Sequence, residues 1–214
     1  MTARAPDKDG FLDLWPTLML RQQLPGAGKA NPILAQEIAR LEAENPQLTT
    51  DYREQNFLGR EHPAIAWLKD CVNRAAVNFL HRQGIGYRVD WSLQAWPNVN
   101  RLGDYHDPHN HPHAYLSGTY YVAVPRSRAD LKTRSDVRPG CISFYDPRGA
   151  ANMTAIKGDG QIEAEYTVSP EAGELLLWPA FLLHFVHPNL SEEPRLSVSF
   201  NVVLKRAAEL LPEQ

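Results

Sequence analysis

Three features that would point to other protein classes are missing or scarce in this sequence. No run of about 18 apolar residues occurs, so no membrane-spanning segment is predicted. No long block of Lys or Arg occurs and the net charge is −3, so nucleic acid is not an expected partner. The only cysteines, Cys71 and Cys141, lie far apart, which excludes a disulfide scaffold or a cysteine metal pair and favours a reduced, cytoplasmic protein.

The pattern of apolar residues predicts a mainly β fold with flanking helices. The chain has 214 residues, of which 43% are hydrophobic, so we expect one domain spanning residues 1–214. Residues 1–86 carry two stretches of helical periodicity, one capped by Asn31 with Pro32 first in the helix, and one from Pro63 to Gly84. From about residue 87 to 205 the period becomes two, in several short strands without intervening helices. We therefore predict an antiparallel barrel or sandwich with the two helices packed on one face.

Histidines cluster at two places that bracket predicted strands. The stretch "YHDPHNHPHAYLSGTYYV" holds four of the eight histidines, and "WPAFLLHFVHPN" holds His184 and His187. The first group consists of His106, His109, His111 and His113. Because strand ends can meet at one mouth of a barrel and imidazole is a common metal ligand, we predict a metal site.

Side-chain alternation selects the candidate ligands within these groups. In an extended segment His109, His111 and His113 share one face. His106 falls on the other face if the extension continues that far, although Pro108 and Pro112 disturb the regularity. We expect His109 and His111 to supply two ligands, and His184 or His187 to supply the third. His113 and His187 are otherwise expected to be supporting or surface residues.

The last long strand, "RLSVSFNVVL", carries a second chemical signal. Alternation places Arg195, Ser197, Ser199 and Asn201 on one face. An inward guanidinium needs an anion, and a small-molecule carboxylate can bind its planar fork bidentately. The alternative is a salt bridge between Arg195 and Glu192 or Glu193 near the start of the strand.

Taken together, the motifs resemble those of the iron(II)/2-oxoglutarate-dependent dioxygenases. A group of these oxygenases is similar in "HNHPHAYLSGTYYV", "GCISFYDPR", "HFVHPN" and "RLSVSFN", and the resemblance covers residues 89–204. It implies a double-stranded β-helix, also called a jelly roll and cupin-like. It also implies Fe(II) as the metal and 2-oxoglutarate as a co-substrate, which is converted to succinate and CO₂ while an unknown substrate is hydroxylated.

The resemblance also assigns roles to individual residues. The iron ligands it implies are His109, His111 and His184. Arg195 would hold the far carboxylate of 2-oxoglutarate, with help from the hydroxyls of Ser197 and Ser199. Either Tyr120 or Tyr121 could add a hydrogen bond, because alternation allows only one of them to face inward.

One position departs from the family pattern. The family motif has an acid two residues after the first ligand, where this sequence has His111. Aspartyl/asparaginyl β-hydroxylases, which resemble "PHNHP" here, also lack this acid. The acids that could replace His111 as the third ligand are Asp146, Asp104 and Asp107.

Two other functions are compatible with the same residues. One is a cupin-like metalloenzyme that uses three histidines without 2-oxoglutarate, and the other is a barrel that binds a small anion without turnover. We expect a small-molecule or peptide substrate. The basic side chains of residues 126–138 could favour an anionic or peptide substrate, but the simpler interpretation of this segment is a solvated loop. The sequence does not identify that substrate or the oligomeric state.

Overall fold

The computed structural model describes residues 8–9, 15–49, 56–126, 131, 136–148 and 163–205. It contains helices α1 (Ala27–Glu44) and α2 (Pro63–Arg82), with a 3₁₀ turn at Phe57–Gly59 between them. The strands are β1 (Leu20–Gln23), β2 (Trp91–Asn100), β3 (His106–His109), β4 (Leu116–Ala123), β5 (Ile142–Tyr145), β6 (Glu165–Val168), β7 (Glu174–Pro179), β8 (His184–Val186) and β9 (Arg195–Leu204). Much of the basic segment 126–138 lies outside the described residues.

The strands form two antiparallel sheets. The larger sheet has the order β1-β7-β4-β9-β2, and the smaller has the order β3-β8-β5-β6. The longest pairing in the larger sheet joins β2 to β9, with Asn100 opposite Arg195 and Trp91 opposite Leu204. In the smaller sheet His184 of β8 lies opposite both His109 of β3 and Phe144 of β5. The prediction of a mainly β fold with two helices is confirmed.

Both helices cover the outer face of the five-stranded sheet. Their apolar stripes join that face in one buried cluster, which includes Leu34 and Ile38 of α1, Leu68 and Val72 of α2, and Val198 of β9. Burial of these side chains is the main favourable contribution to this packing. Within the described residues, no helix is long and apolar enough to cross a lipid bilayer.

The predicted start of α1 was wrong by five residues. The helix begins at Ala27, after Gly26 at φ 90°, and Pro32 lies inside it. A proline near the start of a helix costs little, since the first N–H groups have no intrahelical acceptor, but one at this depth removes a backbone bond. Asn31 is therefore not the cap, and its side-chain oxygen instead accepts a hydrogen bond from the Tyr120 hydroxyl at 2.6 Å. By contrast, α2 begins at Pro63 as predicted, with His62 Nδ1 accepting from the Ala64 N–H.

Gly118 lets two layers of the structure approach closely. It lies in the middle of β4, opposite Phe200 of β9 and Leu177 of β7. A Cβ atom at this position would lie 2.3 Å from Phe200 Cζ and 2.6 Å from the Leu176 carbonyl oxygen. Glycine is therefore required here by space, because it leaves room for the Phe200 ring beside the strand.

Candidate metal centre

A cavity of about 400 Å³ lies between the inner faces of the two sheets. The smaller sheet contributes imidazoles and apolar side chains to its wall, whereas the larger sheet contributes hydroxyls, amides and one guanidinium. The lining residues that carry the argument below are His106, His109, His111, Tyr121, His184, Arg195, Ser197, Ser199 and Asn201. A concave site with a few convergent polar groups is the usual form of a ligand-binding cavity.

Three of the predicted histidines meet at one point of this cavity. His109 ends β3 and His184 begins β8, and the two are paired directly across the smaller sheet. His111 enters from the turn after β3, where its backbone N–H donates to the Ala180 carbonyl at 2.9 Å. Each histidine offers one ring nitrogen, and the three nitrogens all lie within 4.8 Å of one another. This spacing is compatible with one metal ion bound by three imidazoles.

Backbone carbonyls orient two of these rings. His109 Nδ1 lies 2.6 Å from the Asp107 carbonyl oxygen, and His184 Nδ1 lies 3.0 Å from the Leu182 carbonyl oxygen. Because a carbonyl oxygen can only accept, each Nδ1 carries the proton and each Nε2 keeps a free lone pair. This arrangement is typical of histidines that bind a metal through the second nitrogen.

The environment also favours the neutral form of two of these rings, those of His111 and His184. Burial, with a smaller contribution from His109, lowers the pKa of His184 to about 3. Burial likewise lowers the pKa of His111 to about 4, again with a contribution from His109. Aromatic rings surround the group, with Trp178 centred 5.0 Å from His184 and Trp96 centred 5.9 Å from His111. Neutral imidazoles in a partly apolar shell are ready to bind a cation without first losing protons.

The alternative acids lie elsewhere. Asp146 forms a salt bridge with Arg148 at 2.5 Å, and Asp104 accepts the backbone N–H of Arg101 at 2.8 Å. Asp107 is exposed, and only its backbone carbonyl contacts a histidine of the group. Among the described residues, none of these three carboxylates lines the cavity. The geometry therefore favours His111 over any of them as the third ligand.

Arg195 lies inside the same cavity, with the alternation that the sequence predicted. The side chains of Arg195, Ser197, Ser199 and Asn201 all contribute to the wall. Arg195 is 1% exposed, and its Nη1 lies 3.5 Å from the His187 carbonyl oxygen. Glu193, one of the two proposed salt-bridge partners, accepts the backbone N–H of Arg126 at 2.9 Å. A guanidinium this deep beside a polar wall is suited to an anionic ligand.

Of the two tyrosines left open by the sequence, only Tyr121 lines the cavity. Tyr120 points to the opposite face of β4, where it bonds to Asn31 and packs edge-on against Trp67 with ring centroids 5.9 Å apart. Of these two alternatives, the structure therefore favours Tyr121 as the cavity residue. The reason is the alternation of side chains at this point of β4, where Tyr121 lies opposite Ser197 and Tyr120 opposite Val198 in the β9 register.

The remaining predicted histidines do not join the metal group. His113 is exposed on the turn that follows β3. His187 is buried outside the cavity, where its Nε2 bonds to Ser143 Oγ at 2.7 Å and its Nδ1 accepts the Arg138 N–H at 3.2 Å. Burial lowers the pKa of His187. These hydrogen bonds connect β5 to the residue that follows β8, so His187 has a structural role.

His106 is a cavity residue that sequence reasoning missed. It was expected on the opposite face from His109, yet both line the cavity. The register of β3 against β8 shifts between them, so that three steps along β3 match two steps along β8. Such a bulge re-aims side chains. Pro108, which disturbs the regularity of this segment, is the sequence signal for the bulge, because proline within strands is confined to edges and bulges.

The family match decides what kind of site this is. The family model described as "Putative 2OG-Fe(II) oxygenase" matches residues 94–201, just over half of the chain. The chain belongs to this oxygenase family. It is therefore an enzyme that uses Fe(II) and 2-oxoglutarate, as the resemblance implied. The matched segment contains the three histidines, Tyr121 and Arg195.

Solved structures with the same fold support the comparison. The oxygenase is 15% identical to a prolyl-4-hydroxylase from Pseudomonas putida, with a TM-score of 0.58 and 88% of each chain covered. It is 12% identical to AviO1 from Streptomyces viridochromogenes Tue57, with a TM-score of 0.56 over 86% of this chain and 89% of that one.

A third structure has nickel and 2-oxoglutarate bound. It is HygX from Streptomyces hygroscopicus, which is 15% identical, with a TM-score of 0.51 over 87% of this chain and 83% of that one. At these identities the three likenesses show a shared fold. No curated protein matches the chain.

Proposed function

We propose that this oxygenase is a dioxygenase that hydroxylates a small-molecule or peptide substrate, with 2-oxoglutarate converted to succinate and CO₂. The observation that carries this proposal is the meeting of three imidazoles and a buried arginine in one cavity of about 400 Å³. The cavity joins a set of ligands suited to a divalent metal with a group suited to a carboxylate.

Different residues of the cavity would bind the metal and the co-substrate. His109, His111 and His184 would hold Fe(II), and the Nδ1 bonds of His109 and His184 keep the coordinating nitrogens aimed inward. Three protein ligands would leave room on the metal for the keto-acid end of 2-oxoglutarate. When bound, the iron and 2-oxoglutarate supply the oxidising chemistry, in which one atom of O₂ enters succinate and the other enters the hydroxylated product.

Arg195 and the polar wall would orient the co-substrate. Ser197 of β9 lies opposite Tyr121 of β4. Ser199 is two residues after Ser197, on the side away from Arg195, and also lines the cavity. If one carboxylate of a short dicarboxylic acid bound Arg195, the rest of the acid would therefore lie beside Ser197, Ser199 and Tyr121. Trp178 and Val186 add apolar surface to the same cavity, and water excluded by such surface would strengthen these interactions.

The strand order supports a jelly roll as the finer description of the fold. Pairs of strands are nested, so that β2 pairs with β9, β3 with β8, β4 with β7 and β5 with β6. A long antiparallel hairpin rolled into two facing sheets gives this order. A double-stranded β-helix of this kind places the ends of β3 and β8 at one point, which is where His109 and His184 meet.

The test is production of succinate by the purified, iron-loaded protein. We expect succinate to form from 2-oxoglutarate only when both Fe(II) and oxygen are present, and to stop when a chelator is added. The zinc-loaded protein is the matched control, since it fills the same histidines without redox chemistry.

Two results would overturn the proposal. One is the lack of succinate under all conditions, across a panel of small-molecule and peptide substrates. The other is turnover of a substrate by the zinc form without 2-oxoglutarate, which would instead support a cupin-like hydrolytic or lyase enzyme.

A further inference from the structure

The bulge in β3 brings a fourth imidazole to the arginine end of the cavity. His106 lies opposite Val186 on β8, two residues along from the His109–His184 pair that belongs to the metal group. Its ring centroid is 6.3 Å from that of His109, and it is not one of the three rings whose nitrogens converge. His106 thus lines the cavity without belonging to the metal group.

The hydrogen bond to Asn100 determines which nitrogen of the His106 ring carries the proton. Asn100 Nδ2 lies 3.1 Å from His106 Nε2. Because an amide nitrogen can only donate, Nε2 accepts and the proton of the neutral ring sits on Nδ1. No hydrogen bond to Nδ1 is formed within the part of the chain that the structure describes. The ring therefore keeps one N–H donor available to a ligand.

Asn100 also connects His106 to Arg195. Asn100 is 1% exposed and lies directly opposite Arg195 in the pairing of β2 with β9. Its backbone carbonyl is held by Asn189 Nδ2 at 2.9 Å, so its position is fixed from behind. The donor that Asn100 orients and the guanidinium opposite it thus belong to the same end of the cavity.

We propose that His106 is a co-substrate-binding residue, whose Nδ1–H donates a hydrogen bond to the far carboxylate of the 2-oxoglutarate held by Arg195. This inference rests on the proposed function. A carboxylate has two oxygens with about four lone-pair sites, so an arginine fork leaves further sites to be filled. A second donor makes recognition depend on the presence and position of that carboxylate, and so on the length of the diacid.

The experiment compares three replacements of His106 by the affinity of the iron-loaded protein for 2-oxoglutarate, measured calorimetrically without oxygen. His106→Phe keeps a flat ring without donors and is expected to weaken binding about tenfold or more, since a hydrogen bond to a charged group is lost. His106→Asn places an amide N–H near the position of Nδ1 and is expected to restore most of the affinity. His106→Gln places its N–H near Nε2 and is expected to restore little. His113→Phe, on the exposed turn, is the matched control and should bind as the unaltered protein does.

A shortened ligand separates recognition of the carboxylate from a general structural effect. 2-Oxobutyrate keeps the keto-acid end and lacks the far carboxylate, and its affinity is measured by displacement of 2-oxoglutarate. We expect His106→Phe to change the affinity for 2-oxobutyrate by less than about twofold and to leave the iron content unchanged.

Each contrary outcome has a definite meaning. Equal losses for both ligands, loss of iron, or unchanged 2-oxoglutarate binding in His106→Phe would each overturn the assignment of His106. If His106→Phe does not fold, the contrast between His106→Asn and His106→Gln still decides, since equal affinities in these two would overturn the assignment. Failure of the unaltered protein to bind 2-oxoglutarate would instead overturn the proposed function.

Discussion

His106 and His109 in β3 have the same spacing as His184 and His187 at β8, but the two pairs are placed differently. His106 and His109 both line the cavity. In the second pair only His184 does, while His187 lies outside it, bonded to Ser143. In a regular strand two residues three apart face opposite sides, so the second pair follows the rule and the first breaks it.

The difference between the pairs comes from one extra residue. The bulge in β3 sets three steps of that strand against two steps of β8, and Pro108 lies within it. The same strand edge can thus supply a metal ligand and a further donor close together. The comparison teaches that regular alternation places the metal ligand on β8, whereas an irregularity places the additional imidazole on β3.

The largest expected effect is a loss of iron binding that distinguishes His184 from His187. His184→Ala should abolish stoichiometric Fe(II) binding, because it removes a ligand. The loss of iron affinity should exceed the roughly 10–100-fold loss that is caused by changing a residue next to the ligands. His187→Ala should keep the iron, since His187 lies outside the cavity. Iron content after loading and desalting measures both.

Asp146→Asn is the control for the alternative ligand, and it too should keep iron. Retention of iron in His184→Ala together with its loss in Asp146→Asn would show that the ligand set is wrong. His111→Asp should still bind Fe(II), because it creates the common set of two histidines and one carboxylate.

The second prediction concerns Arg195, which is placed by regular alternation as His184 is. Arg195→Ala should weaken 2-oxoglutarate binding by roughly a hundredfold or more, because removing one partner of a buried charged pair costs about 3–5 kcal/mol. Arg195→Lys should recover only part, since an ammonium cannot form the bidentate pair. Iron content should not change in either variant. A fall in melting temperature with unchanged affinity for 2-oxoglutarate would instead support a salt bridge that stabilises the fold.

The third prediction separates structure from function within the β8 pair. His187→Ala should lower the free energy of unfolding by about 1–3 kcal/mol, because it leaves the buried Ser143 hydroxyl and the Arg138 N–H without their imidazole partner. His113→Ala, on the exposed turn, should stay within about 0.5 kcal/mol of the unaltered protein. Urea denaturation measures both, and equal stability of the two variants would contradict the structural role of His187.

Regular features of this chain could be predicted from the sequence, and local irregularities could not. Alternation in "RLSVSFNVVL" placed Arg195 and its serines on the cavity face, and Pro63 marked the start of α2. The metal group was also predicted, because His109 and His184 lie at strand ends that the sheet brings together. His106 was missed since its position depends on a change of register between two strands, which local periodicity does not contain.

The start of α1 shows a second limit. Asn31 and Pro32 form a good local signal for a helix start, yet the helix begins at Ala27. Packing of Ala27 and Ala30 into the core, together with the bond from Tyr120 to Asn31, is a tertiary effect that overrides the local preference.

The smallest expected effects come from Tyr120 and Tyr121, where adjacent residues of one strand should affect different properties. Tyr121→Phe should weaken 2-oxoglutarate binding by about two- to tenfold, the effect of one hydrogen bond worth roughly 0.5–1.5 kcal/mol, and should leave stability nearly unchanged. Tyr120→Phe should leave the affinity unchanged and lower the free energy of unfolding by about 1 kcal/mol, since the Asn31 side-chain oxygen loses its donor. Oxygen-free titration with 2-oxoglutarate and urea denaturation, applied to both variants, give four values. If Tyr120→Phe lowered the affinity while Tyr121→Phe did not, the inward and outward faces of β4 would have to be exchanged, and with them the opposing residues Ser197 and Val198 of β9.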